Sequence, residues 1–356
     1  MSFSLNINFR ELVQGLKWMN IHEFADVEED TLLRDVKSFS KYRNRLRKRL
    51  EEVEGFRERI KRIDRRFLEE AFLNLKEGEA YGIDGTLNVY PTPFGAKCRI
   101  GVVAVNYAGE RLEETVYVSD TMFIDEEFTD NIVEFLKNVE KVYRFSELFY
   151  RSLMLYKERE VALKYGDKYR LVQGPLMPLE LRIGRMGIEG FLEESLLLGA
   201  RLIEDGKVAG VLSTSRHLRL ISVGMLLKPG EYMYLTDLRR LIKSEVRRLL
   251  PEEEKLVEDF AEKHAFKIGV GVYKISAKPY LFQAPKERFD EFAHLIMADA
   301  LNNRMHGFPL LLAYADNICR RMFSPEDFRQ RLESIILRCE GDDAAFFFDE
   351  RRLRPG

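Results

Sequence analysis

Apolar residues recur at steps of three and four through the first fifth of the chain, and the pattern predicts helix over residues 9–77. Within residues 41–72 the positions Leu46, Leu50, Val53, Phe56, Ile60, Ile63 and Phe67 form one apolar stripe. Arg43, Arg45, Lys48, Arg49 and further basic residues fill the steps between them. Such a face is either a solvated flank of a packed helix or a basic ridge that meets a nucleic-acid backbone or a partner.

The period then changes. Residues 80–83, 97–107 and 113–119 alternate apolar and other side chains, as strands do, and short turns such as Ala108-Gly109-Glu110 join them in a meander. A long helix is predicted over 126–165, a strand over 168–172, a helix over 190–203 and a strand over 208–212, entered by an Asp205-Gly206 turn. Residues 231–264 read as largely helical, 267–276 with 279–282 as a hairpin, and 289–302 and 308–321 as helices. The order β-β-β-α-β-α-β predicts an α/β fold: a mixed sheet of three antiparallel strands followed by αβ crossovers, with helices on its faces. That is the RNase H-like order, in which the first and fourth strands lie side by side and groups at their ends converge.

A chain of 356 residues fits one large domain or two ordinary ones. Its net charge is only -2 while 33% of residues are charged, so binding to nucleic acid requires local basic patches. Cys98, Cys319 and Cys339 are too widely spaced for a zinc site or a disulfide framework and fit a reducing compartment. No signal peptide and no 18-residue apolar run is read, so a cytoplasmic protein without a membrane span is expected.

The most informative segment for chemistry is Tyr81-Gly82-Ile83-Asp84-Gly85-Thr86-Leu87. It reads as a strand ending in a carboxylate, with Gly85 allowing a sharp bend. A carboxylate fixed in this way suits a hard divalent cation; the same Asp-Gly pair also suits a plain hairpin turn. Asp316 sits among Leu312, Ala313, Ala315 and Ile318. There it is either a metal ligand or an acid on the helix's solvent edge, near Arg320 one turn on. The five histidines, His294 and His306 among them, give no zinc spacing, and no Gly-x4-Gly-Lys-Ser/Thr segment is present. Residues 344–354 join an aromatic cluster to a basic tail, which suits packing into the core or docking to a partner.

Four segments together resemble the NurA nucleases, the DNA-end-processing partners of the hexameric HerA translocase. They are Ile83-Asp84-Gly85-Thr86, residues 169–176 (Tyr-Arg-Leu-Val-Gln-Gly-Pro-Leu), residues 208–215 (Val-Ala-Gly-Val-Leu-Ser-Thr-Ser) and residues 307–316 (Gly-Phe-Pro-Leu-Leu-Leu-Ala-Tyr-Ala-Asp). The resemblance implies an RNase H-like nuclease domain over 79–340, a helical segment over 1–78 and a tail over 341–356. It implies a Mn2+- or Mg2+-dependent deoxyribonuclease, with 5′-to-3′ exonuclease and single-strand endonuclease activity. The partners it implies are DNA, a HerA-type hexameric ATPase and a second copy of the chain.

Two-metal phosphodiester cleavage needs carboxylates converging around ions about 3.5–4 Å apart. In that role Asp84 would bridge the ions, a glutamate from the 126–165 helix would join it, and Asp316 would complete the set. Glu158 is the first choice for the glutamate and Glu160 the alternate, because they lie about 200° apart around a helix. Arg216, His217, Arg45 and Arg49 are the candidate DNA contacts. Gln173 stands where the resemblance calls for Asp, and Ser213 where it often calls for Lys. Glu147, Asp167 or Asp205 are the remaining acids that could compensate. The alternative is a weakened or inactive NurA-like subunit that binds DNA and the motor without efficient cleavage.

Overall fold

The computed structural model of the chain describes residues 9–15, 21–53, 55–92, 95–119, 147–183, 188–213, 218–245 and 250–341. It divides into two compact units, Met1–Arg57 and Glu58–Gly356. The first carries α1 (Phe9–Gly15) and α2 (Ile21–Glu51). Leu32, Val36, Phe39 and Tyr42 are more than half exposed along α2, and Arg47 pairs with Glu51 one turn on, at 2.7 Å.

The uninterrupted helix expected over 9–77 is broken. The chain leaves α2 after Glu51, and Gly55 takes φ +77°. A short α3 (Phe56–Arg59) leads directly into β1 (Ile60–Arg62), which pairs antiparallel with a later strand. Only then does α4 (Arg65–Lys76) begin. Asp64 caps α4 by accepting from Arg66 N at 2.8 Å. The Asp64 amide in turn donates to His294 Nε2 at 2.9 Å, and His294 Nδ1 lies 2.6 Å from the Asp290 carbonyl. Through these two contacts the histidine ties the start of α4 to a later helix.

From residue 80 to residue 212 the second unit follows the expected order of strands. The meander is β2 (Ala80–Thr92), β3 (Gly95–Val105) and β4 (Arg111–Ser119). Then come α5 (Glu147–Leu163), β5 (Tyr169–Gln173), α6 (Glu180–Ile183), α7 (Phe191–Asp205), β6 (Val208–Leu212) and α8 (Leu218–Gly224). The part of the predicted 126–165 helix before Glu147 lies outside the described residues. The expectation of helix through 231–264 is corrected: β7 (Glu231–Asp237) precedes α9 (Leu238–Glu245) and α10 (Pro251–Lys263). Its run Glu-Tyr-Met-Tyr-Leu is too short for periodicity to separate strand from helix; β8 (Ile268–Lys274) and β1 supply the partners that make it a strand. The hairpin of β8 and β9 (Pro279–Pro285) is as expected, followed by α11 (Phe289–Leu301), α12 (Leu310–Met322) and α13 (Pro325–Glu340).

The described strands form one mixed sheet in the order β1-β7-β8-β9-β6-β5-β2-β3-β4. β5 runs parallel to both β2 and β6. The first and fourth strands of the expected order, β2 and β5, are therefore neighbours, as the RNase H-like reading requires. Alternation along the strands divides the core in two. Val103 and Val105 of β3 face α4, α11 and α12, while Val102 and Ala104 face the layer of α5, α7 and α10. Among the described residues no helix is long and apolar enough to cross a membrane.

One buried acid ties the first layer together. Asp299 on α11 is fully buried and accepts from Tyr107 Oη at 2.5 Å and from Leu311 N at 2.8 Å. Burial pushes its carboxyl from 3.8 up to about 6. A folded-state value raised above the unfolded one stabilises the fold fully below pH 3.8, and that contribution is lost as pH rises through about 6. Relative to wild type, Asp299→Asn should therefore gain stability between pH 4 and pH 7, measured as urea midpoints. A gap between the two proteins that does not change with pH would contradict this.

Candidate active site

The site lies where two neighbouring strands part. β5 pairs with β2 only from Ala80 to Ile83, whereas β2 continues against β3 as far as Thr92. Asp84 is the first β2 residue beyond that parallel ladder. The expected sharp bend at Asp84-Gly85 is absent, because both residues stay in the β2–β3 register, opposite Val103 and Val102. Gly85 is required for a different reason. A Cβ there would stand 2.6 Å from Glu158 Oε1 and 2.8 Å from Met154 Cγ. On the other face of β2, a Cβ at Gly82 would stand 2.7 Å from the Leu311 carbonyl. Two glycines of opposite parity thus let α5 and α12 close on β2 from its two sides.

Asp84, Glu158, Gln173 and Asp316 line one cavity of about 740 Å³. Asp84 and Glu158 are buried, and the Asp84 backbone carbonyl accepts from Cys319 Sγ of α12 at 3.4 Å. Burial raises the Asp84 carboxyl well above the usual range, and the nearby Glu158 and Asp316 raise it further. The Gly85 amide and the Arg159 guanidinium only partly offset this. Burial likewise pushes Glu158 up to about 7, against the lowering effect of Arg159. Asp316 is about one-third exposed and pairs with Arg320 at 3.0 Å.

Arg159, which the sequence reading passed over, is the cation of this floor. It is fully buried, and its Nη1 donates to Glu158. Its Nη2 donates to the carbonyls of Gln173 at 3.2 Å and Pro175 at 2.7 Å. The signal was present: Leu155, Glu158, Arg159 and Ala162 share one helical face, so a polar pair interrupts an apolar stripe. Gln283 of β9 was also passed over. It is buried on the cavity wall and accepts from Leu176 N at 2.8 Å. The turn it supports, through Gly174 (φ +86°), rests on Gly210, where a Cβ would meet the Gly174 carbonyl at 2.5 Å.

The other candidates are dispersed. Glu160 points away from the cavity and pairs with Lys157 at 2.5 Å, so Glu158 is the glutamate that faces the sheet. Ser213 lines the cavity, and its carbonyl accepts from Lys278 Nζ at 3.1 Å, which brings an ammonium from the β8–β9 turn to that rim. Glu147 also lines the cavity. Asp205 pairs with Arg170 at the other end of β5 and β6, and the Asp167 carbonyl accepts from Lys207 Nζ there. Arg45 and Arg49 are exposed on α2, in the first unit. Arg216 and His217 lie outside the described residues, as does the tail from residue 342.

The donor set fits a hard dication in kind: carboxylate oxygens, two of them buried and mutually repelling. In the present arrangement Glu158 is turned to Arg159 and Asp316 to Arg320. Among the described residues no three His, Cys, Asp or Glu side chains are gathered as a ready ligand set.

The described residues form an α/β fold, a mixed sheet with helices on both faces and acids where two strands part. No protein-family model and no curated protein matches the chain, but solved structures do. The fold is similar to the NurA nuclease from Sulfolobus solfataricus, with TM-score 0.52 and 14% identity over 91% of this chain and 99% of that one. It is similar to NurA bound to dAMP and manganese, with TM-score 0.51 and 12% identity over 93% of this chain and 100% of that one. A further NurA structure gives TM-score 0.50 and 12% identity over 89% and 99%. The chain has the NurA fold.

If Gly85 exists to admit Glu158, Gly85→Ala should displace that carboxylate and destabilise the protein by roughly 1–3 kcal/mol, the range for overpacking a filled site. Thermal melts of the two proteins test this. Coincident melts would mean that α5 does not seat against β2 as described.

Proposed function

We propose that this chain is a divalent-metal-dependent deoxyribonuclease. The observation that carries the reading is that Asp84, Glu158 and Asp316 line one cavity, at the point where β2 outruns β5. The NurA fold supports it. Asp84, Glu158 and Asp316 would hold Mn2+ or Mg2+, with the Gln173 amide as a neutral neighbour. A bound ion would supply Lewis-acid stabilisation of the phosphate and a more acidic water. The chain's own contribution is positional. β2 and the Gly85 amide fix Asp84. Arg320 and Lys278 offer mobile cations at the rim for backbone phosphates. Met154, Leu155 and Met177 give the cavity an apolar flank that limits water.

The finer reading is 5′-to-3′ trimming of DNA ends and incision of single strands, working with a separate HerA-type hexameric ATPase in end processing. The sequence supplies no P-loop, so any translocation would come from that partner. A homodimer and a cytoplasmic location belong to the same reading. Asp84→Asn should keep the circular dichroism spectrum and lower Mn2+-dependent cleavage of DNA by about 100-fold or more. Equal cleavage by both proteins would remove the site assignment.

A second reading, a subunit that binds DNA but cuts poorly, is favoured by Gln173 and by the arginine partners of Glu158 and Asp316. Calorimetric titration with Mn2+ separates the two. Binding in the micromolar range supports the enzyme, and its absence supports the weakened subunit.

A further inference from the structure

The end of the sheet away from β4 repeats the arrangement that opens the acid cavity. β1 pairs with β7 only over Ile60–Arg62, with Ile60 opposite Met233. Arg59, which would face Tyr234 next, already belongs to α3. β7 runs on to Asp237, so from Tyr234 onward no described strand covers its outer edge. A second cavity of about 420 Å³ opens there, inside the second unit.

Its floor is aromatic. Tyr234 meets Phe289 edge-on, with ring centroids 5.3 Å apart, and Phe289 stacks on Phe282 at 4.8 Å. Gly269 of β8 admits both Tyr234 and Phe289, since a Cβ there would stand 2.8 Å from each ring. Tyr234 nonetheless stays 39% exposed. The lining carries three cations, Arg59, Lys61 and Arg240, and two acids, Asp237 and Asp290. Both acids are engaged. Asp237 accepts from the Arg240 amide at 3.0 Å and lies 3.5 Å from Arg239 and 3.6 Å from Lys286. Asp290 accepts from Lys61 Nζ at 2.6 Å and from Tyr232 Oη at 3.0 Å. Arg59 and Arg240 are exposed, and among the described residues no acid pairs with either side chain. Arg59 belongs to the basic run of residues 41–72, which the acid cavity does not use.

A cavity of this size accommodates a nucleotide. Unengaged guanidiniums suit phosphates, and a fixed, exposed ring suits an unstacked base. An extended peptide is the poorer occupant: the open edge spans only Tyr234–Asp237, is irregular between Tyr234 and Thr236, and ends where α9 starts. We infer that this cavity is a second nucleic-acid contact, which holds a nucleotide of single-stranded DNA with its base on Tyr234 and its phosphates at Arg59 and Arg240. The choice of DNA rests on the nuclease reading; the contact itself lies outside the acid cavity. α9 stands between the two, with Leu238, Leu241 and Ile242 lining the acid cavity and Arg240 lining this one.

The test is fluorescence anisotropy of a labelled oligothymidylate with the full chain in EDTA, where cutting does not intervene, over a salt series. Arg59→Gln with Arg240→Gln should weaken binding about tenfold or more at low salt, and should lower the slope of log affinity against log salt by about 1.4, two phosphates at about 0.7 each. Arg59→Lys with Arg240→Lys keeps the charges and should keep most of that slope. Tyr234→Leu should weaken the single strand about fivefold or more while leaving the salt slope and the binding of a duplex unchanged, and Tyr234→Phe should bind as wild type does. Ultraviolet crosslinking of a bromodeoxyuridine oligonucleotide to wild type should mark the peptide that contains Tyr234, and it decides the matter should a variant fail to fold. Folded variants that bind as wild type does would overturn the inference and leave the edge to a peptide. An equal loss on single strand and duplex for Tyr234→Leu, or a crosslink confined to other peptides, would also overturn it. In each of these cases Mn2+-dependent cleavage by wild type would keep the nuclease reading in place, whereas a wild type that neither binds nor cuts DNA would overturn both.

Discussion

The site depends on one register constraint: β5 stops pairing with β2 at Ile83, and β2 does not stop there. A sheet whose strands all ended together would leave no recess. One whose parallel ladder ran further would bury Asp84 against backbone. Here β3 continues to hold β2 straight, while the chain leaves β5 through the Gly174 turn. The recess is then closed from above and below by α5 and α12, which reach β2 only because residues 85 and 82 carry no Cβ. Sheet topology, helix approach and acid placement are thus consequences of where a single ladder ends.

Electrostatics follow from that geometry. The recess withdraws Asp84 and Glu158 from water, so burial opposes the ionisation of both, and at Asp84 the nearby Glu158 and Asp316 oppose it further. The fold tolerates this because Arg159 is built into the same helix face, one residue from Glu158. A buried ion pair of this sort is not a source of net stability; its value lies in fixing where a charge sits. The same contrast separates Asp299, fully buried and held by Tyr107 and Leu311, from Asp316, paired with Arg320 at the rim.

Much of the architecture was legible from periodicity. The meander, the crossover strands β5 and β6, and the β8–β9 hairpin all announce themselves by alternation and turn residues, and the strand order then makes β2 and β5 neighbours. What failed were short elements defined by a distant partner. β1 and β7 exist because they pair with each other and with β8, and three or seven residues carry too little period to show it. At the site, Asp84, Glu158, Gln173 and Asp316 come from four separate segments of sequence and line one cavity. The sharp turn assigned to Gly85 was a local explanation for a glycine whose cause is a helix 70 residues away. Arg159 was hidden inside a run of four charged residues, and only its place beside Leu155 and Ala162 on one face betrays it.

The glycine pair at residues 174 and 210 has a further consequence. One supplies a left-handed bend and the other the flat bed on which that bend lies, so a side chain on either would lift the wall that carries Gln173. Neither position can drift alone: a replacement at one demands a different loop at the other. Among descendants of this chain the two should change together or not at all, and the shape of this wall should outlast the identity of the acids around it.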